Sequence, residues 1–330
     1  MEATGFVYIK MKILQFQPLL KQILWGGNKI APFKQLDCNT PNIGESWELS
    51  GVPGDQTQCI TMENKPLNTL VAEYKEKLVG KANYERFGNE FPLLIKFIDA
   101  CQDLSIQVHP DDETAVRQGK MRGKTEMWYL MQSDADAKLY SGLKKQITPD
   151  EYKAMVEDGS ICDALAQYPV KEDDVFFLPA GRIHTIGAGC FLAEIQQTSD
   201  VTYRIYDFKR KDNDGSYREL HTEEAAEAID YTVFDDYRTQ YTPCKNQAVE
   251  IADCSYFTTS VYDIDIPTNI EAVKKDTFVV LIILKGAGTV TTDEGEVVSV
   301  KAGDTLLIAA ENKQLLVDGN IKLIETHINS

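Results

Sequence analysis

The sequence predicts an all-β protein of two jelly-roll barrels in tandem, interrupted by helical insertions. Three observations predict it. Short runs of β-branched and aromatic residues, each closed by Gly, Pro or Asn, recur over the first two thirds of the chain. The same strand, Gly turn, strand spacing returns beyond residue 279. Windows with helical periodicity are few and brief.

In chain order, residues 12–60 alternate apolar runs with Gly, Pro and Asn, giving strands and loops that carry Trp25 and the Glu45–Glu48 block. A helix is expected over Asn68–Gly80, with Leu70, Val71, Tyr74 and Leu78 on one face, an Asn cap and a Gly stop. Phe91–Ala100 reads as a buried strand. After a turn at 101–103, residues 104–109 alternate, so Leu104, Ile106 and Val108 point one way and Ser105, Gln107 and His109 the other. Pro110 stops that strand, and Asp111–Gln118 is a short helix whose acids suit its N-terminus.

Gly123–Leu130 is a further strand with Lys124 and Glu126 on one face. Thr148–Tyr152 is a capping box with Pro at the first helical position, opening an insertion to about Tyr168. Val175–His184 is a strand ending in Pro-x-Gly-x-x-His, and Gly187 and Gly189 punctuate the hairpin into Phe191–Gln196. Arg204 lies on the opposite strand face from Tyr203 and Ile205. A helix over Thr222–Ile229 follows the charged loop 209–214, and strands return at 279–291 and 295–309. The expected division is 1–235, with insertions near 68–80 and 148–168, and 236–330.

Composition narrows the function. The 330 residues are 43% hydrophobic, enough for a sizeable core. A net charge of −17 argues against nucleic acid and against anionic membrane surfaces. An acidic protein that binds an anion needs a local basic pocket, which draws notice to Lys96, Lys124 and Arg204. Seven scattered cysteines without Cys-x-x-Cys spacing suit reduced thiols in a cytoplasmic setting. The first ten residues lack the pattern of a signal peptide. Every apolar run falls short of the roughly 20 residues that span a bilayer.

The Ser105, Gln107, His109 row is either a solvated face or the wall of a polar cavity. Of four histidines, His109 and His184 both sit at strand ends beside apolar runs. Two imidazoles with a carboxylate can hold a divalent metal and leave a position open for substrate. Glu194 lies on a strand face with Leu192 and Gln196, and an acid so placed suggests a pocket. It is favoured over Asp200 as proton-transfer base.

The blocks Trp25–Gly27, Gly44–Glu48, Phe91–Lys96, Ser105–Asp112, Gly123–Glu126, Pro179–His184 and Gln197–Arg204, in this order, resemble type I mannose-6-phosphate isomerase in its short bacterial form, within the cupin superfamily. The resemblance implies a zinc-dependent aldose–ketose isomerase. It would interconvert mannose 6-phosphate and fructose 6-phosphate, a small phosphosugar pair, through an enediol-like intermediate. It implies one Zn2+ per chain held by His109, Glu126 and His184, with Gln107 as fourth ligand. Arg204 takes the place of the active-site arginine, and Ser105 and Lys124 match positions lining the substrate pocket.

Two departures stand out. Arg182 occupies a position where a smaller residue is expected, and the large helical insertion of longer eukaryotic members is missing. The second barrel has no histidine in its corresponding motif and is expected to be structural, without a metal site. Two other readings stay open at this point: a metal-dependent cupin dioxygenase, and a catalytically silent sugar-binding cupin.

Overall fold

The computed structural model describes residues 13–211 and 215–329. The expectation for the first ten residues and part of the 209–214 loop therefore lie outside the described residues. The fold is mostly β, with three sheets, all of whose paired strands are antiparallel.

The chain forms two compact units, one of 18–57 with 92–241 and the other from the described residues of 1–17, 58–91 and 242–330. The last boundary falls at 241/242, and the division is discontinuous. The helical segment near 68–80 groups with the C-terminal strands, while the insertion near 148–168 stays with residues 92–241. Ala310 N–H donates to Leu78 O (2.9 Å), and Asn83 Nδ2 donates to Thr277 Oγ1 (2.9 Å).

In that C-terminal unit, ten strands form one sheet, dominated by the long pair Val279–Thr292 and Leu315–His327. Its core alternates along them: Val279, Leu281 and Ile283 pack with Leu315, Val317, Ile321 and Leu323. The expected helix over 68–80 is broken into Leu67–Tyr74, Glu76–Val79 and Lys81–Phe87. Lys75 adopts a φ of 51°, which ends the first helix. Asn68 does not cap it; its side-chain oxygen accepts the Phe91 N–H instead.

The other unit places a seven-stranded sheet against a five-stranded one. From residue 93 onward the chain passes repeatedly between them, and the crossings bring motif residues together. Leu93–Asp99, Glu126–Ser133, Val175–Leu178 and Cys190–Gln197 belong to the seven-stranded sheet. Ile106–Val108, Lys138–Leu143, His184–Ile186 and Tyr203–Tyr206 belong to the five-stranded sheet. Thus Val175–His184 is not one strand. Its Pro-x-Gly-x-x segment is the turn between sheets.

Between the sheets lies a core of Ile98, Trp128, Leu130, Leu139, Phe176, Ile186 and Leu192. The outer face of the five-stranded sheet carries Ile106, Val108, Tyr203 and Ile205 beneath the helices Pro149–Asp158 and Thr222–Ala228. The first of these has the expected capping box but stops at left-handed Gly159, so the insertion ends ten residues early as helix and continues as a 3-10 turn and strand. One facing expectation fails. Leu104 packs in the core between the sheets, away from Ile106 and Val108, because regular pairing starts only at Ile106.

Candidate metal centre and substrate cavity

His109, Glu126 and His184 converge, with one ligand atom from each lying within 4.8 Å of the others. All three are buried, Glu126 completely. The sheet geometry explains the meeting. His109 follows the strand Ile106–Val108, His184 opens the strand paired with it, and Glu126 opens a strand of the facing sheet. Gly123 lets the approach happen. A Cβ there would lie 2.5 Å from Pro110 O, and Lys124 N–H donates to that same carbonyl (3.0 Å).

The imidazoles are oriented from behind. His109 Nδ1–H donates to Val201 O and His184 Nδ1–H to Arg182 O, each at 2.8 Å. Carbonyls only accept, so both rings carry their proton on Nδ1 and present a bare Nε2 to the carboxylate. His184 Nε2 lies 3.3 Å from Glu126 Oε1, and His109 Nε2 lies 3.6 Å from Oε2. Burial keeps the rings neutral: His184 is pushed down to about 3 and His109 well below its ordinary value. Burial raises Glu126 to about 7 despite Lys124 beside it.

Bare lone pairs facing a carboxylate repel one another unless a cation lies between them. His109 Nε2 and Glu126 Oε1 are buried without a hydrogen-bond partner. Tetrahedral coordination at zinc bond lengths separates ligand atoms by roughly 3.3 Å, close to the spacings seen. The residues fit a divalent metal.

A cavity of about 380 Å³ adjoins this centre, lined among others by Ser105, Gln107, Lys124, Glu194, Asp200 and Arg204. Five of the predicted site positions, and the alternative base Asp200, thereby line one space, and two of them, Gln107 and Lys124, also touch the ligand candidates His184 and Glu126. Gln107, His184 and Arg204 form a row across three paired strands, with Gln107 Nε2 3.3 Å from His184 Nε2. Lys124 Nζ pairs with Glu126 Oε2 at 2.8 Å. Arg204 Nη1 donates to Glu219 O (2.9 Å).

Glu194 is held on both oxygens, by Lys96 Nζ (3.1 Å) and by the Trp128 indole N–H (2.9 Å). Burial pushes its carboxyl up, but Lys96, Lys124 and Trp128 outweigh that and hold it low. Lys96 and Glu194 occupy directly paired positions on neighbouring strands. Sequence reading marked Lys96 as an informative cation without giving it a place, and passed over Trp128, which also meets the His184 ring edge-on at 5.2 Å. A strand-pairing register would have found both. Arg218, also at the cavity, is clamped by Asp207 (2.7 Å from Nε), and no periodicity marks it. Trp25 lines the cavity while remaining core. Arg182 lies outside the cavity, stacked on Tyr237 and Phe234.

Comparison with known proteins identifies the family. Residues 13–146 match the model of the phosphomannose isomerase type I catalytic domain, and 248–328 match that of the mannose-6-phosphate isomerase cupin domain. The chain is 31% identical to the mannose-6-phosphate isomerase ManA of Bacillus subtilis (strain 168) over 323 residues, covering 96% of this chain and 98% of that protein. It is 31% identical over 318 residues to the mannose-6-phosphate isomerase of Streptococcus mutans, covering 96% and 98%. The crystal structure of the Bacillus subtilis mannose 6-phosphate isomerase superposes with a TM-score of 0.86 at 27% identity, covering 96% of this chain and all of that one. Sequence and fold agree, and the chain belongs to the type I mannose-6-phosphate isomerases.

Proposed function

We propose that this isomerase is zinc-dependent and interconverts mannose 6-phosphate and fructose 6-phosphate through an enediol-like intermediate, in the unit formed by 18–57 and 92–241. The observation that carries the metal reading is the convergence of two imidazole Nε2 atoms on a buried carboxylate, with His109 Nε2 and Glu126 Oε1 left without a hydrogen-bond partner. His109, Glu126 and His184 would hold one ion, with Gln107 as fourth ligand. When bound, it would stabilise negative charge developing on substrate oxygen.

The chain's own residues supply the rest. The Arg204 guanidinium, a permanent cation at the cavity, is suited to the developing oxyanion. Lys124 and Ser105 are suited to substrate oxygens. Glu194 is ionised but paired with Lys96, so it is a weak proton acceptor until substrate disturbs that pair. Asp200 reaches the same cavity from an exposed position and is the alternative base.

The test is a coupled assay for fructose 6-phosphate formation from mannose 6-phosphate, before and after chelation with zinc add-back. Loss and recovery of activity support the reading. A folded, zinc-loaded sample without turnover sinks it.

A further inference from the structure

The geometry points to the turn over residues 179–183 as the element that sets the metal centre, and to Arg182, packed against the edge-to-face pair of Phe234 and Tyr237, as the positioning residue of that turn. The inference rests on the divalent-metal reading of the site.

The turn is bonded to the surroundings of all three ligand candidates. Gly181 N–H donates to His109 O (2.8 Å). Ala180 N–H donates to the hydroxyl of Thr125, the neighbour of Glu126 (3.2 Å). Arg182 O accepts the His184 Nδ1–H (2.8 Å), which fixes both tautomer and ring plane. Gly181 adopts a φ of 87°, so this sharp path suits glycine.

The same turn is held from the far side by residues 230–237. Asp230 N–H donates to Gly181 O (2.9 Å). The Arg182 guanidinium carbon lies 4.4 Å from the centre of the Tyr237 ring and 5.2 Å from that of Phe234, within range of cation–π attraction. Tyr237 is itself fixed: its hydroxyl donates to Leu143 O (2.9 Å) and its N–H to the Tyr168 hydroxyl (3.0 Å). The Arg182 side chain therefore rests on a fixed aromatic surface, while the carbonyl of the same residue aims a histidine at the metal position. Arg182 touches neither substrate cavity nor ligand atoms with its side chain, so it acts through the backbone.

The test uses the full chain with Arg182→Gln and Phe234→Leu, the latter at a ring that is 46% exposed and therefore dispensable for folding. Zinc affinity is read by competition with a chromophoric chelator, and ligand geometry by the visible spectrum of the Co2+-substituted protein. Melting of the metal-free forms is followed alongside. Each variant is expected to weaken zinc by about 10–100-fold and to shift the Co2+ band. Wild-type competition curves and spectra in the folded variants would overturn the inference, even if melting falls, because the aromatic packing would then be structural only. If Arg182→Gln does not fold, Phe234→Leu decides alone. Wild-type protein that binds neither Zn2+ nor Co2+ would remove the metal reading itself, a distinct result seen before any variant is compared.

Discussion

Lys96 Nζ lies 3.1 Å from Glu194 Oε1, with both side chains buried at directly paired positions of neighbouring strands. Burial lowers the Lys96 ammonium, yet the carboxylates of Glu194 and Glu45 overcome this and raise it. Glu194 is held at about 2, below its ordinary 4.5. A carboxylate depressed in the folded state contributes stability that is fully present above its unfolded value and is lost as pH falls through the folded one. The expected outcome is an acid-unfolding contribution between pH 4.5 and about 2. Lys96→Met removes the nearest cation from a buried carboxylate, leaving Trp128 and the more distant Lys124, and should cost up to about 3–5 kcal/mol. Its acid transition should move to higher pH, and denaturant titration from pH 7 down to about 2 checks both.

Glu126 supplies the charge of the proposed metal centre. Glu126→Gln keeps the shape but replaces an anionic donor by a neutral amide. Metal retention is expected to fall by more than about 100-fold, beyond the range seen for outer partners of metal ligands. Turnover should fall with it, and excess zinc should restore it only in part. Metal content after dialysis, read beside the coupled assay, tests this.

Arg204 is predicted to act on the reaction and not on the metal. Arg204→Gln should lower kcat by about 100–1000-fold, the usual effect of removing one oxyanion donor. The chelator-competition curve should stay that of wild type. Equal loss of metal and activity would instead place Arg204 in the metal's supporting structure.

Gly123 tests the close passage that brings two motifs together. A Cβ at this position meets Pro110 O and the Asp111 carbonyl carbon, both at 2.5 Å, and both are backbone atoms that cannot swing away. Gly123→Ala should therefore cost about 1–3 kcal/mol by overpacking. It should also weaken metal binding, because Lys124 and Glu126 are displaced relative to His109. Unchanged melting and metal affinity would count against this account of the glycine.

The strands and the helix capped at Thr148 were legible because each depends on neighbours in sequence, whereas the ligand candidates followed from the family resemblance. Alternation, capping and turn chemistry are short-range physics, and they survive whatever the chain packs against. The helix over 68–80 misled for the complementary reason. Its periodicity is real, but Asn68 bonds to Phe91 and Lys75 turns out of the helix, so packing of the 67–87 segment overrides propensity.

By itself, then, the sequence determined the β architecture and the family, and it named part of the set of residues that line the cavity. Only the tertiary structure decided that His109, Glu126 and His184 bare lone pairs to one another, that Lys96 restrains Glu194, and that Arg182 braces the turn between the sheets. Each of these depends on which strands are neighbours and in what register, and on groups far apart in the chain losing water together. Burial and pairing at that range set proton positions and charge, and no local pattern of residues encodes them.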